Sequence, residues 1–153
     1  MPGHSGQRRK LEGTMYEKLL VAVDNSRATE RVLASARDLA SLSSGEVWVL
    51  HLREREVLPR GGVTMPMETT DEAQQKVDAA VEELTQAGIK AHGVVRNTVY
   101  GYAGREIIED AKAVNADVII MGSRGRGDLA GLVLGSTAHK VIHLADRPVL
   151  VVR

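Results

Sequence analysis

Asp117-Val118-Ile119-Ile120-Met121-Gly122-Ser123-Arg124-Gly125, followed after nine intervening residues by Gly135-Ser136, carries most of the architectural information in this chain. Its apolar part is short and β-branched, which reads as a strand buried on both faces, the habit of parallel sheets. The glycines stand at the carboxyl end of that strand, where open α/β sheets bind ligands. Without a Cβ they let a ribose or phosphate approach the main chain. Gly135-Ser136 then opens an amphipathic segment, 137–145, whose first N–H groups and positive dipole end favour phosphate, with the Ser136 hydroxyl beside them. Such an arrangement suits a nucleotide.

Outward from this stretch, short apolar runs alternate with helical periodicity from Lys18 onward, the signature of βαβ units. Five runs qualify as strands: 19–23, 47–52, 89–95, 118–121 and 149–152. The first crossover is expected to start at Ser26 as N-cap, with Glu30 in its first turn. Val32, Leu33, Ala36, Leu39 and Ala40 form its apolar face, and Gly45 lies just beyond its end. The second starts near Thr70 and stops at Gly88, a C′ glycine. The third carries Ala103, Ile107, Ile108, Ala111 and Val114; the fourth carries Ala138, Val141, Ile142 and Ala145. Between the second strand and second helix, 53–68 reads as a long connection with Pro59, Gly61, Gly62 and Pro66, leaving the same rim as the glycine motif. Connections of that length are functional or disordered, so the expectation is either a mobile flap over the ligand or a disordered loop.

Composition narrows the function. At 153 residues the chain fits one domain, which buries roughly 68–70% of its unfolded surface. Twenty basic and twenty acidic residues cancel, removing the long-range positive field of non-specific nucleic-acid binders. One Trp, three Tyr and no Phe make no stacking platform for single strands. Cysteine is absent, which excludes disulfides, thiolate metal sites and Cys nucleophiles and suits a cytoplasmic protein. No run approaches the ~18 apolar residues of a membrane span. Residues 1–14, with Gln7-Arg8-Arg9-Lys10 but no apolar h-region, read as a disordered basic extension ahead of a domain over 15–153, or as an upstream start before Met15.

Several competing motifs fail on context. Gly125-Arg126-Gly127-Asp128-Leu129-Ala130 spells G-x-G-x-x-A, but a dinucleotide fingerprint belongs at the first βα turn with an acidic residue at the next strand end. No Walker A sequence and no G-x-S-x-G elbow occur. His139 and His143 have the i, i+4 spacing of zincin ligands without the required Glu, and they fall opposite the apolar face as surface residues. His51, inside an apolar strand, reads as a hydrogen-bonded core histidine.

The spacing Gly122-x2-Gly125-x9-Gly135-Ser136, with Val21-Ala22-Val23-Asp24-Asn25-Ser26 near the start, resembles the universal stress protein family over about 15–153. Leu50-His51-Leu52, Gly101 before the third helix and the terminal Pro148-Val149-Leu150-Val151-Val152 line up in the same order. In that family the glycine pattern marks the ATP-binding branch. One departure is Ala103, where many relatives carry Pro.

The resemblance implies a single doubly wound α/β domain, Rossmann-like, with a five-stranded parallel sheet in the order 3-2-1-4-5 and helices on both faces. The ligand would lie at the switch point between the first and fourth strands. It implies ATP as ligand, with Mg²⁺. Ala22, Val23 and Asp24 would line the site, with Asp24 near the sugar and phosphates as the candidate Mg²⁺ ligand. Leu52 would pack on adenine, Met121, Gly122, Arg124 and Gly125 would lie beneath base and ribose, and Gly135, Ser136 and Thr137 would take the phosphates. The implied function is nucleotide-dependent regulation of a stress response or dormancy through an unnamed downstream protein. The implied assembly is a homodimer paired antiparallel through 149–152. Two alternatives stand beside it: a slow ATPase or autophosphorylating protein with Ser136, Thr137 or Ser123 as acceptor, and a nucleotide-free interaction module.

Overall fold

Five aliphatic runs form one parallel sheet in the computed structural model, which describes residues 15–125, 131 and 133–153. The extension 1–14, Arg126 and the fingerprint beyond Gly125 lie outside the described residues. Along the chain run β1 (Lys18–Val23), α1 (Thr29–Ser43), β2 (Glu46–Arg55), α2 (Thr70–Gln86), β3 (Ala91–Val99), α3 (Ala103–Ala113), β4 (Val118–Gly122), α4 (Ser136–Leu144) and β5 (Val149–Val152). The sheet order is β3-β2-β1-β4-β5, the order that the family resemblance implies.

Because strand side chains alternate between faces, each β-branched run feeds two cores. Leu19, Val21, Val47, Val49, Val118 and Ile120 pack beneath α1 and α2 with Val32, Ala36, Ala40 and Leu84. Leu20, Leu50, Ile119 and Met121 pack beneath α3 and α4 with Ile107, Ala111, Ala138 and Val141. Each such aliphatic side chain contributes about 1.5–3 kcal/mol by leaving water. Gly93 shows how tightly α2 sits on β3, since a Cβ there would overlap Val77 Cγ1.

Two boundaries differ from the sequence reading. Helix α1 starts at Thr29 with Ala28 at its N-cap, not at Ser26. The Asp24 carboxylate accepts from the Ser26 N–H (2.8 Å) and the Thr29 hydroxyl donates to the Asp24 carbonyl (2.6 Å), so a side-chain-closed turn takes up Ser26 before helical geometry begins. The second difference is the connection 53–68, which begins later than the sequence reading placed it. Strand β2 continues to Arg55, paired through Arg53↔Asn97, Glu54↔Thr98 and Arg55↔Val99 with a β3 that starts at Ala91 and runs on to Val99. Polar residues occupy these rungs, so the extension has no apolar signal. Beyond Arg55 the chain forms a small hairpin: Val57 bridges Val63, and Leu58 N–H donates to the Gly62 carbonyl (2.7 Å), with Gly61 at φ +85°.

Helix α2 starts as its sequence predicts, through a capping box in which Thr69 and Glu72 exchange hydrogen bonds, and Gly88 at φ +82° follows its end. Ser44 takes the left-handed cap of α1, and Gly45 lies just beyond the helix end as expected. Among the described residues no helix is long and apolar enough to cross a membrane.

Candidate functional site

The order in which the chain adds strands reverses between β1 and β4, because β1 leads outward to β2 and β3 while β4 leads to β5 on the other side. A crevice opens at such a point above the carboxyl ends of the strands. The register sets what meets there. Val23 pairs with His51, so Asp24 and Leu52 are the next residues on adjacent strands, and Gly122 pairs with Val152 at the end of β4.

Ser123 ties the rim together. Its N–H donates to the Val152 carbonyl (2.8 Å), and its own carbonyl accepts from the Gly135 N–H (2.6 Å). Gly135 is thus held at the rim by Ser123. Gly135 is the N-cap of α4, in extended backbone, with no side-chain cap hydrogen bond. The Ser136 and Thr137 N–H groups, too early in the helix for an intrahelical acceptor, have no backbone partner among the described residues. The positive end of α4 is therefore offered beside β4, with Ser136 exposed and Thr137 half-buried.

Gly122 keeps the floor close to α1. A Cβ at this position would stand 3.3 Å from the Arg124 carbonyl oxygen and 3.4 Å from Ala28 Cβ. Met121 is 5% exposed and packs into the core beneath α3 and α4, so its main chain, not its side chain, faces the rim. Ala22 and Leu52 are half-buried on the α3/α4 side of the sheet, Val23 is buried, and Arg124 and Gly125 are exposed. The structure thus brings Asp24, Leu52, Gly122, Arg124, Gly135, Ser136 and Thr137 to one rim and leaves Met121 and Val23 as its buried support.

Electrostatics adds a residue that the sequence reading missed. Partial burial pushes the Glu54 carboxyl above the usual carboxylate range, and the negative charge of Asp24 pushes it further. Arg53-Glu54-Arg55 carries no apolar pattern and so reads as loop in the sequence; the alternation Leu52, Glu54 along an extended β2 is the signal that points to Glu54. Among the described residues no group of three or more His, Asp or Glu is placed to hold a metal.

Behind the rim, His51 is the hydrogen-bonded core histidine expected. Its Nδ1 donates to the Val23 carbonyl (3.1 Å) and its Nε2 meets Glu68 Oε2 (2.6 Å). Arg53 reaches the Glu68 carbonyl through Nε (3.3 Å) and Nη2 (2.9 Å), and Asn97 Oδ1 through Nη1 (2.8 Å). Lys76 pairs with the other Glu68 oxygen. The far end of the hairpin segment is thereby anchored to the sheet just under Asp24. His139 and His143 are exposed on α4, as expected.

Comparison with known proteins agrees with this geometry. The family model described as "Universal stress protein family" matches residues 15–153. Universal stress protein YxiE of Bacillus subtilis is 32% identical over 91% of this chain and all of its own. Universal stress protein MJ0577 of Methanocaldococcus jannaschii is 32% identical over 91% of this chain and 96% of its own. The solved structure of MJ0577 superposes with a TM-score of 0.74 at 28% identity, covering 90% of this chain and 96% of that one. A universal stress protein from Archaeoglobus fulgidus, solved in complex with dAMP, superposes with a TM-score of 0.68 at 28% identity over 91% of this chain and 99% of that one. With its sheet order, its switch-point crevice and a family match from Met15 to Arg153, the chain belongs to the universal stress protein family.

Proposed function

We propose that this protein is an ATP-binding universal stress protein, a nucleotide-dependent regulator of a stress response or dormancy acting in the cytoplasm. The observation that carries the reading is the hydrogen bond from Gly135 N–H to the Ser123 carbonyl, which sets the uncapped start of α4 beside the glycine-floored end of β4. The Archaeoglobus relative in complex with dAMP supports an adenine nucleotide as the ligand class. In this reading Leu52 packs against the base, Asp24 accepts from ribose hydroxyls, and Gly122 to Gly125 pass beneath the sugar. The N–H groups of Ser136 and Thr137 hold phosphate oxygens.

Mg²⁺ fits the donor set. Beside partial burial, the charge of Asp24 helps to raise the Glu54 carboxyl, which puts two carboxylates within reach of one another. Mg²⁺ is commonly held by one or two carboxylates together with ligand phosphates. When bound, the ion would neutralise phosphate charge; Asp24 and Glu54 are the residues that would hold it.

Protein purified without added nucleotide and then denatured is expected to release an adenine nucleotide in near-stoichiometric amount, identified by chromatography and mass spectrometry. An empty protein that also fails to bind added ATP would overturn the reading.

The regulatory output is a population shift, so ATP biases an assembly only by the difference in its affinity for the alternatives. The assembly we propose is a homodimer through β5. This strand is the sheet edge next to β4, has four residues and leaves Leu150 exposed. An apolar edge is a template for another strand. Light scattering is expected to give twice the 16.5 kDa chain mass, and a monomeric mass at micromolar concentration would sink the proposal.

A further inference from the structure

Arg27, Arg31, Arg124 and Arg153 line one pocket of about 170 Å³ together with Ala28 and Ser123. We propose that this pocket binds a phosphate chain through the four guanidinium groups and the start of α1.

The four arginines come from three parts of the fold. Arg27 and Arg31 flank the first turn of α1, Arg124 follows β4, and Arg153 follows β5. The Arg31 Nη1 donates to the Arg153 carbonyl (3.3 Å), which fixes the helix against the end of the sheet. No Asp or Glu side chain forms an ion pair with any of the four among the described residues. In a chain of net charge zero, this is a local excess of positive charge. Of the acids nearest in sequence, Glu30 is exposed and forms no ion pair among the described residues, and the Asp24 carboxylate accepts from Ser26 N–H.

The main chain adds donors. Thr29 and Val32 N–H groups reach the Ser26 and Ala28 carbonyls, whereas those of Glu30 and Arg31 find no acceptor among the described residues. Helix α1 has 15 residues, so its positive end is fully developed. Its N-cap, Ala28, brings no side-chain oxygen to compete with an anion.

Size and lining select the ligand. The pocket holds about five to six water volumes at ~30 Å³ each, more than one phosphoryl group needs. Guanidinium forks match phosphate oxygens in paired hydrogen bonds, and several such forks call for several phosphoryl groups. No aromatic side chain lines the walls, so nothing there reads a base. Ser123 and Arg124 also belong to the rim of the nucleotide crevice. The chain therefore has two available sources: the tail of a nucleotide bound next door, or a free inorganic oligophosphate.

The test is calorimetric titration of the full chain, stripped of small molecules, with inorganic tripolyphosphate at low salt. The wild type is expected to bind one equivalent. The Arg31→Gln/Arg153→Gln double variant is expected to bind at least about tenfold more weakly, the loss of roughly one charge-assisted contact. All four arginines are exposed, so the substitutions leave the core intact. Arg105→Gln, on exposed α3 surface, is expected to match the wild type. Titrations with ATP and AMP separate the sources. If the double variant weakens ATP but not AMP and tripolyphosphate displaces ATP, the pocket takes a nucleotide tail. If ATP is unaffected and tripolyphosphate binds alongside it, the pocket takes a free chain. A double variant that binds both tripolyphosphate and ATP as the wild type does overturns the proposal. Failure of adenine nucleotides alone would leave the tripolyphosphate result standing, so the two proposals fall separately.

Discussion

The Glu68→Ala variant is expected to lose about 3 kcal/mol of folding stability, because it removes a mostly buried carboxylate that holds both His51 and Lys76 and strands the buried partner. The His51 side chain is 4% exposed and that of Glu68 12%. The Val23 carbonyl can only accept, so His51 Nδ1 donates to it, while Nε2 meets Glu68 Oε2 at 2.6 Å. Without the carboxylate, Nε2 faces a gap at the foot of α2 while Nδ1 remains committed to β1. The Arg53 contacts to the Glu68 carbonyl survive the change, so the loss reports on the side chain.

The pH dependence has a definite sign. Burial alone would raise the Glu68 carboxyl, but hydrogen bonds from Lys76 and His51 and their charges outweigh it and hold the group below its ordinary 4.5. A depressed carboxyl contributes stability above its unfolded value and loses it as pH falls through the folded one. The gap between wild type and variant is therefore full at neutral pH and shrinks below about pH 4.5. Urea unfolding at pH 7 and at pH 4 measures both quantities. Equal midpoints at pH 7 would refute the ion-pair assignment.

Gly122→Val is expected to weaken adenine-nucleotide binding by about tenfold to a hundredfold and to cost about 1–3 kcal/mol of stability. Its Cβ would already crowd the Arg124 carbonyl and Ala28, and the two methyl groups of valine have no free direction between β4 and α1. Displacing Arg124 moves Ser123, whose carbonyl holds Gly135 and with it the start of α4. The strain thus reaches the phosphate end although valine touches no phosphate. Calorimetry with ATP, beside a thermal melt that shows the variant folded, checks the prediction. Unchanged affinity would remove Gly122 from the binding machinery.

Much of this was legible because it rests on local chemistry. The run Val118 to Met121 and the run Val149 to Val152 are apolar and β-branched, and they form strands where the pattern places them. Thr69, Glu72 and Gly88 bound α2 through contacts within a few residues of each other. Asp24 and the glycine motif meet on one rim because parallel sheets put every strand's carboxyl end on the same side.

What stayed hidden depends on partners far along the chain. Arg53-Glu54-Arg55 carries no strand pattern, yet it is held extended by Asn97, Thr98 and Val99. Ser26 looks like a cap until Asp24 captures its N–H. Four arginines spread from position 27 to position 153 share a pocket only because α1 packs against the ends of β4 and β5. Hydrophobic periodicity and capping chemistry, which act within a turn or a strand, let the sequence by itself determine the elements and the glycine-lined rim, while the order of the strands came from the family resemblance. The tertiary structure alone decided the reach of β2 and β3, the buried His51–Glu68 anchor and the arginine pocket, because polar residues take a defined place only when distant main chain and side chains satisfy their hydrogen bonds and charges.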